Sequence, residues 1–279
     1  MINLNGTLDP KAFVAVDNRG LNYGDALFET LRYWGGKIYF WEDHYFRLLA
    51  SMRMLRMEIP MDFTMEFIER EIIKTVDASE NKDIATRIKL LVWRKTGGKY
   101  TPFSNEVKYC ISTEKLDTPF YILTETSYEV ELFKDHYIAS GLFSTLKTNN
   151  RLINILGSIF AKENDYQNCL LLNERKQVIE ALNGNIFLVS GNTIKTPPLA
   201  DGCLNGIMRK QLISIIKDIS DFTFSEASIS PFELQKADEI FVTNVIAGIV
   251  PITKYRKKEF GNSVAKALLP KLNLNARMG

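Results

Sequence analysis

Short runs that alternate apolar and polar side chains, rich in β-branched and aromatic residues, open the chain. Residues 13–16, 28–33 and 37–41 read as strands. Gly35-Gly36, between the last two, supplies the positive-φ positions of a two-residue hairpin turn. A helical spacing then takes over. Leu48, Met52 and Leu55 share one face of a helix over about 44–55, and Asp43 stands where it can cap that helix. Pro60 breaks the chain, and a second amphipathic helix is expected over about 63–76. Residues 87–93 and 107–113 return to the strand pattern, around a polar loop that contains Gly97-Gly98. Strands, helices and strands again, without regular βαβ alternation, predict an α+β domain over 1–115.

Residues 116–126, with Pro119 and scattered polar side chains, are the expected linker, and 127–279 the second domain. There a strand is expected at 128–133 and a helix at 151–162, with Leu152, Ile155, Leu156 and Ile159 on one side. Short strands follow at 170–172, 178–179 and 186–189. Gly191-Asn192 turns the chain into another strand at 193–196, followed by a helix over 207–219 and a strand at 239–243. No internal repeat or low-complexity segment interrupts this order.

Composition narrows the classes. The 279 residues, 46% hydrophobic and 24% charged, can build one large or two modest cores of ordinary globular type. A net charge of +2 marks neither a nucleic-acid binder nor a membrane-surface protein. No apolar run approaches the roughly 20 residues of a membrane span, and the first residues lack the character of a signal peptide. Cys110, Cys169 and Cys203 are few, odd in number and far apart, so no disulfide framework is expected. His44 and His136 are the only histidines, and neither lies near a cysteine at zinc spacing, so no metal is expected. A cytoplasmic protein is the expectation. Gly97-Gly98-Lys99 lacks the upstream glycine and spacing of a phosphate-binding P-loop, and Asn5-Gly6-Thr7 matches a glycosylation acceptor only by accident.

The candidate chemistry lies in four signals in fixed order. Lys147-Thr148-Asn149-Asn150-Arg151-Leu152 comes first, then Val178-Ile179-Glu180, Asn185-Ile186-Phe187, and Pro197-Pro198-Leu199 leading to Asn205-Gly206-Ile207-Met208-Arg209. A desolvated lysine can be neutral, hence nucleophilic, near neutral pH. The first amides of a helix have no internal partner and sit at the positive end of its dipole, which suits a phosphate. Each signal alone has an ordinary reading: a solvated lysine, a hairpin glutamate, a plain helix start.

As an ordered set they resemble the pyridoxal-phosphate enzymes of fold type IV, the class IV aminotransferase family. That family includes branched-chain and D-amino-acid aminotransferases and 4-amino-4-deoxychorismate lyase. The resemblance covers about residues 13 to 252. It implies two domains with the cofactor in a cleft between them, pyridoxal 5′-phosphate as cofactor, a small-molecule amino substrate, and a homodimer whose partner completes the substrate pocket.

It also implies roles. Lys147 would bind the cofactor covalently and later act as the general base. Glu180 would hold the pyridine nitrogen protonated, making the ring a better electron sink. Gly206, Ile207 and Met208 would cradle the phosphate, with Arg47 of His44-Tyr45-Phe46-Arg47-Leu48 gripping it through its guanidinium fork. His44 would order the first turn of its helix. Thr243 and Asn244 would add a further phosphate contact. Tyr23 and Phe28, in a stretch similar to the family's N-terminal signature, would face substrate or serve as core aromatics. Arg87 and Arg94 are the candidates for a substrate carboxylate, on opposite faces of one strand.

The Asn150-Arg151-Leu152 form and the Thr243-Asn244-Val245-Ile246-Ala247-Gly248 stretch are closest to the lyase, which forms 4-aminobenzoate and pyruvate. The alternative is an aminotransferase acting on branched-chain or D-amino acids. Branched-chain enzymes usually carry a tyrosine where this chain has Leu152.

Overall fold

The computed structural model describes residues 1–278. The chain divides into two compact units. The first comprises Met1–Pro119 together with Lys147–Asn150, and the second Phe120–Leu146 together with Arg151–Met278.

The first unit is an antiparallel sheet covered by two helices. Its strands are β1 (Ile2–Leu4), β2 (Thr7–Asp9), β3 (Ala26–Trp34), β4 (Lys37–Ile38), β5 (Thr86–Arg94) and β6 (Val107–Lys115), in the order β2-β1-β6-β5-β3-β4. Its helices are α1 (Arg19–Tyr23), α2 (Trp41–Met54) and α3 (Met65–Ala78). Alternation along the long strands sends Leu27, Leu31, Ile88, Leu90 and Val92 to one face, where they pack with Leu48, Met52, Ile68 and Ile72 of α2 and α3. Glu29 has the same parity and is 2% exposed, a carboxylate among apolar neighbours. Phe28, Thr30 and Lys89 take the other face, with Thr30 paired to Lys89.

The Gly35-Gly36 turn forms with φ of 59° and 82° and joins β3 to β4 in the register Trp34 to Lys37. Two expectations fail here. Residues 13–16 form no strand: Phe13 is 82% and Val16 85% exposed, and the sheet edge is built instead by the β1–β2 hairpin. Asp43 does not cap α2, because Phe40 takes a left-handed conformation (φ 55°) and the helix begins at Trp41, leaving Asp43 in its first turn.

The second unit holds a mixed sheet. Its elements are β7 (Glu129–Ile138), α4 (Leu152–Glu163), β8 (Asn168–Asn173), β9 (Val178–Ala181), β10 (Gly184–Ser190), β11 (Thr193–Thr196), α5 (Ile207–Lys217) and β12 (Thr223–Glu226). They continue with α6 (Pro231–Leu234), β13 (Glu239–Asn244), β14 (Gly248–Ile252), β15 (Lys254–Tyr255), β16 (Lys258–Glu259) and α7 (Ser263–Met278). The main path runs β12-β11-β10-β9-β8-β7-β15-β16, and β13 pairs with both β10 and β14. Val130, Leu170, Ile186, Ile240 and Ile252 fill a core on one side, and Phe133, Leu171, Ile179 and Cys203 another.

α7 carries Pro270 in its interior and is not announced by the sequence pattern. Its start is held by buried Glu239, whose two carboxylate oxygens accept from the amides of Val264 and Ala265 at 2.8 and 2.7 Å. No helix among the described residues is long and apolar enough to cross a membrane. All three cysteines are free.

Candidate active site

Lys147 is tied to the first unit by its backbone. Its carbonyl accepts from the amide of Phe28 at 2.9 Å, and the amide of Asn149 donates to Ala26 at 2.9 Å. Asn150 completes the tie, its side-chain amide donating to the carbonyl of Gly24 at 3.3 Å. Gly24 has φ 63°, and a Cβ there would stand 2.2 Å from Asn150 Oδ1, so both the backbone conformation and the close approach demand glycine. The Lys-x-x-Asn spacing thus fixes where Lys147 starts. Its Nζ lies 4.5 Å from the centroid of the Phe28 ring. Lys89 Nζ lies 5.1 Å from the same centroid, so two ammonium groups share one aromatic side chain. Lys89 escaped the sequence reading. Only the pairing of β3 with β5 sets it beside Phe28, a register that no local sequence pattern announces.

On the opposite face of β3 stands a buried network. His44 Nδ1 lies 2.7 Å from Glu29 Oε2. Arg47 donates from Nε to Glu29 Oε1 at 2.8 Å and from Nη2 to Oε2. Burial alone would raise the Glu29 pKa, but the Arg47 charge and the His44 hydrogen bond outweigh it and bring it down to about 2. The His44 ring is held below its ordinary pKa by burial, against the pull of Glu29, with Arg47 and Lys147 adding to the depression. His44 therefore pairs with β3 rather than merely ordering its own helical turn. Arg47 faces a carboxylate within its own unit, and its fork is oriented by it.

In the second unit the predicted residues converge. Glu180 on β9 and Asn185 on β10 are direct cross-strand partners. Glu180 Oε2 accepts from the amide of Leu204 at 2.8 Å, and Asn185 Nδ2 donates to the Leu204 carbonyl at 2.9 Å. Gly206 follows as the N-cap of α5, with no side-chain cap bond, so the first amides of that helix, at Ile207 and Met208, open it. A Cβ on Gly206 would stand 2.0 Å from Asn185 Oδ1. Arg209 explains the end of its motif: its Nη2 donates to Pro197 O and to Glu226 Oε1, both at 2.8 Å, binding the Pro-Pro turn to the helix. Cys203 is buried beside Glu180, and burial pushes its thiol up to about 12, so it is an inert wall of this region.

Other predicted residues have structural work. Arg94 is 6% exposed and donates to Asp25, Asn105 and the carbonyls of Arg56 and Leu55. Arg19 shares the same Asp25 oxygen at 2.9 Å and holds the carbonyls of Gly97 and Lys99. Arg94 is thus a brace of the 97–105 loop, its donors engaged by the fold itself. Arg87 pairs with Glu114 at 2.7 Å in solvent. Tyr23 lies under the Arg19 guanidinium, 5.9 Å from the ring of Tyr100. The Thr243 hydroxyl donates to Gly248 O at 2.7 Å, and Asn244 Oδ1 accepts from Ile246 and Ala247. Both shape the β13–β14 turn, so a phosphate contact from here would not use the Thr243 hydroxyl proton.

The first unit thus presents a lysine beside an aromatic ring, and the second a buried carboxylate next to an uncapped helix start. The class IV amino-transferase family model matches residues 26–255, and the chain belongs to this family. A D-alanine aminotransferase of Listeria innocua is 28% identical over 87% of this chain and 82% of its own length. An aminodeoxychorismate lyase of Vibrio harveyi is 24% identical over 88% of each chain. Among solved structures, a branched-chain aminotransferase from Thermoproteus uzoniensis with norvaline superposes with a TM-score of 0.85 at 26% identity, covering 97% of this chain and 92% of that one. The architecture is the two-domain α+β fold of fold type IV. Enzymes of the family use pyridoxal 5′-phosphate. The residues fit it: α5 begins at Gly206 without a side-chain cap, so its first amides are open to an anion, and Glu180 is a carboxylate only 6% exposed.

Proposed function

We propose that the protein is a pyridoxal-phosphate-dependent lyase that converts 4-amino-4-deoxychorismate to 4-aminobenzoate and pyruvate. The observation that carries this reading is the pair of ammonium groups around Phe28, Lys147 at 4.5 Å and Lys89 at 5.1 Å. One amine is needed for chemistry; the second offers an anion site to a substrate rich in carboxylates. Arg94, its donors engaged by the fold, is set aside for the carboxylate, and Arg87, paired with Glu114 in solvent, stays the alternative to Lys89. The Asn150-Arg151-Leu152 form and the relative from Vibrio harveyi point the same way.

The cofactor, when bound, supplies an electron sink for the carbon that loses its proton. Lys147 would anchor it and then, released from that bond, take the ring proton of the substrate and return a proton to the departing pyruvate unit. Glu180 serves as the partner of the pyridine nitrogen, held in place by the Leu204 amide. The amides of Ile207 and Met208, with Arg47, bind the phosphate. Lys89 grips a carboxylate, and loss of pyruvate leaves an aromatic ring.

The same reading takes the protein as a cytoplasmic homodimer. What supports the dimer is the exposure of large apolar side chains in the first unit, Phe13, Val16, Tyr100 and Phe103 among them.

The test is an assay of 4-aminobenzoate formation beside transamination of leucine and D-alanine, in wild type and Lys89→Met. Lyase activity is expected, with a Michaelis constant raised about tenfold or more in the variant, as loss of a hydrogen bond to a charged group implies. Efficient transamination with no 4-aminobenzoate would replace the reading with the aminotransferase one.

A further inference from the structure

The buried charges on the helix-covered face of β3 raise a question of design. Glu29 is fully ionised and needs compensation, and Arg47 supplies the whole unit of charge through a two-point contact. Yet the carboxylate has a third partner, His44, itself 0% exposed. A second cation in that position would leave the trio with a net positive charge inside an apolar core, with Lys147 close enough to act on the ring. A neutral donor adds a hydrogen bond without adding charge. The ring shows that state in its geometry. Nδ1 is the nitrogen on Glu29, while buried Nε2 has no hydrogen-bond partner. A proton on Nε2 would be a donor with nothing to receive it, so the proton belongs on Nδ1.

We propose that His44 is a positioning residue for the cofactor phosphate: as a neutral imidazole carrying its proton on Nδ1, it locks the Glu29 carboxylate, and that carboxylate sets the plane of the Arg47 guanidinium. The carboxylate alone could swing about its terminal torsion, which is broad. Arg47 meets it through Nε and Nη2, side-on, so any rotation of the carboxylate carries the fork with it. His44 removes that freedom by donating to Oε2, the oxygen that Arg47 Nη2 also meets. It does so from the same helix as Arg47, three residues earlier and hence on the same face. The other groups acting on the ring are those already named: Glu29 of β3, Arg47 of α2 and Lys147 of the 147–150 segment.

The inference rests on the reading of Lys147 and Arg47 as cofactor anchors, and its test separates the two. Full-length chain freed of cofactor is titrated with pyridoxal 5′-phosphate, for wild type, His44→Ala and His44→Asn. Asparagine can place an N–H where Nδ1 stands but does not titrate. His44→Ala is expected to weaken binding about tenfold, and His44→Asn to recover most of that loss. Thermal unfolding of the two variants is compared at the same time. An asparagine variant as weak as the alanine variant, at equal melting temperature, overturns the proposal, and so does an alanine variant that binds as tightly as wild type. Failure of wild type itself to bind the cofactor would instead overturn the underlying reading. Should the alanine variant not fold, nitrogen NMR of the wild-type ring decides: a neutral Nδ1–H tautomer is expected, and an Nε2–H tautomer or an imidazolium overturns the proposal.

Discussion

Gly206→Ala adds one methyl group against the buried side chain of Asn185 in the second unit. The backbone there has φ −74° and ψ 136°, which alanine adopts freely, so by conformational entropy alone the change would stabilise the fold by about 0.4–1 kcal/mol. Contact decides otherwise. The new Cβ would stand 2.0 Å from Asn185 Oδ1 and 3.2 Å from its Cγ, distances that cannot persist. Asn185 is 4% exposed and anchored by its 2.9 Å bond to Leu204 O, so yielding means breaking that bond inside the protein. A buried group left without its partner costs roughly 1–3 kcal/mol, and the net loss of stability should be about 1–2 kcal/mol.

The same displacement moves the segment that presents Leu204 to Glu180 and carries the amides of Ile207 and Met208, proposed above to bind the phosphate. Affinity for pyridoxal 5′-phosphate should therefore fall about tenfold or more, in the range of a lost charge-assisted hydrogen bond. Denaturant unfolding and cofactor titration read the two effects separately. Asn185→Ala/Gly206→Ala supplies the control, because it removes the atom that clashes. The double-mutant cycle should show a coupling of about 1–2 kcal/mol. A Gly206→Ala protein with wild-type stability and affinity would refute the argument.

Three other outcomes follow from the same contacts. Glu180→Gln keeps an acceptor for the Leu204 amide, so cofactor should stay bound while the rate per bound cofactor drops; loss of cofactor with an unchanged rate would reduce Glu180 to a structural role. Arg94→Met should lower the melting temperature and expose the 97–105 loop to proteolysis while leaving the Michaelis constant within about twofold, and a large rise in that constant would return Arg94 to the substrate. Glu29, with its pKa lowered from 4.5 to about 2, contributes stability present above pH 4.5 and lost as the pH falls toward 2. The stability gap between wild type and Glu29→Gln should accordingly shrink by on the order of 3 kcal/mol across that acid range, and a gap that stays constant with pH would contradict the ionised state.

How far the sequence reaches can be judged residue by residue. Periodicity located the long strands and amphipathic helices of both units, because each buries one face and the pattern records which. The Gly35-Gly36 turn was legible because two successive positive φ values admit few other residues. Ordered spacing singled out Lys147, Glu180 and Gly206 as candidates through resemblance, and the structure supplies reasons for their neighbours, Asn150 on Gly24 and Arg209 on Pro197. Interactions between distant segments were not legible. Arg94 looks like a free strand cation until Asp25 and Asn105 are placed around it. Glu29 is a charged residue on a core face, acceptable only because His44 and Arg47 arrive from the next helix. Residues 13–16 show the converse error: an apolar run has strand character, but a strand needs a neighbouring backbone, and the hairpin of β1 and β2 forms the edge instead.

The central claim is that Lys147 is the amine that takes the cofactor. Wild-type protein loaded with pyridoxal 5′-phosphate, reduced with borohydride, digested and mapped by mass spectrometry tests it directly, since reduction fixes the bond to whichever lysine holds it. The account predicts a single phosphopyridoxyl group on the peptide carrying Lys147 and none after Lys147→Ala. Labelling of Lys89 or another lysine in its place, or no labelling of a protein that still turns over substrate, would contradict it.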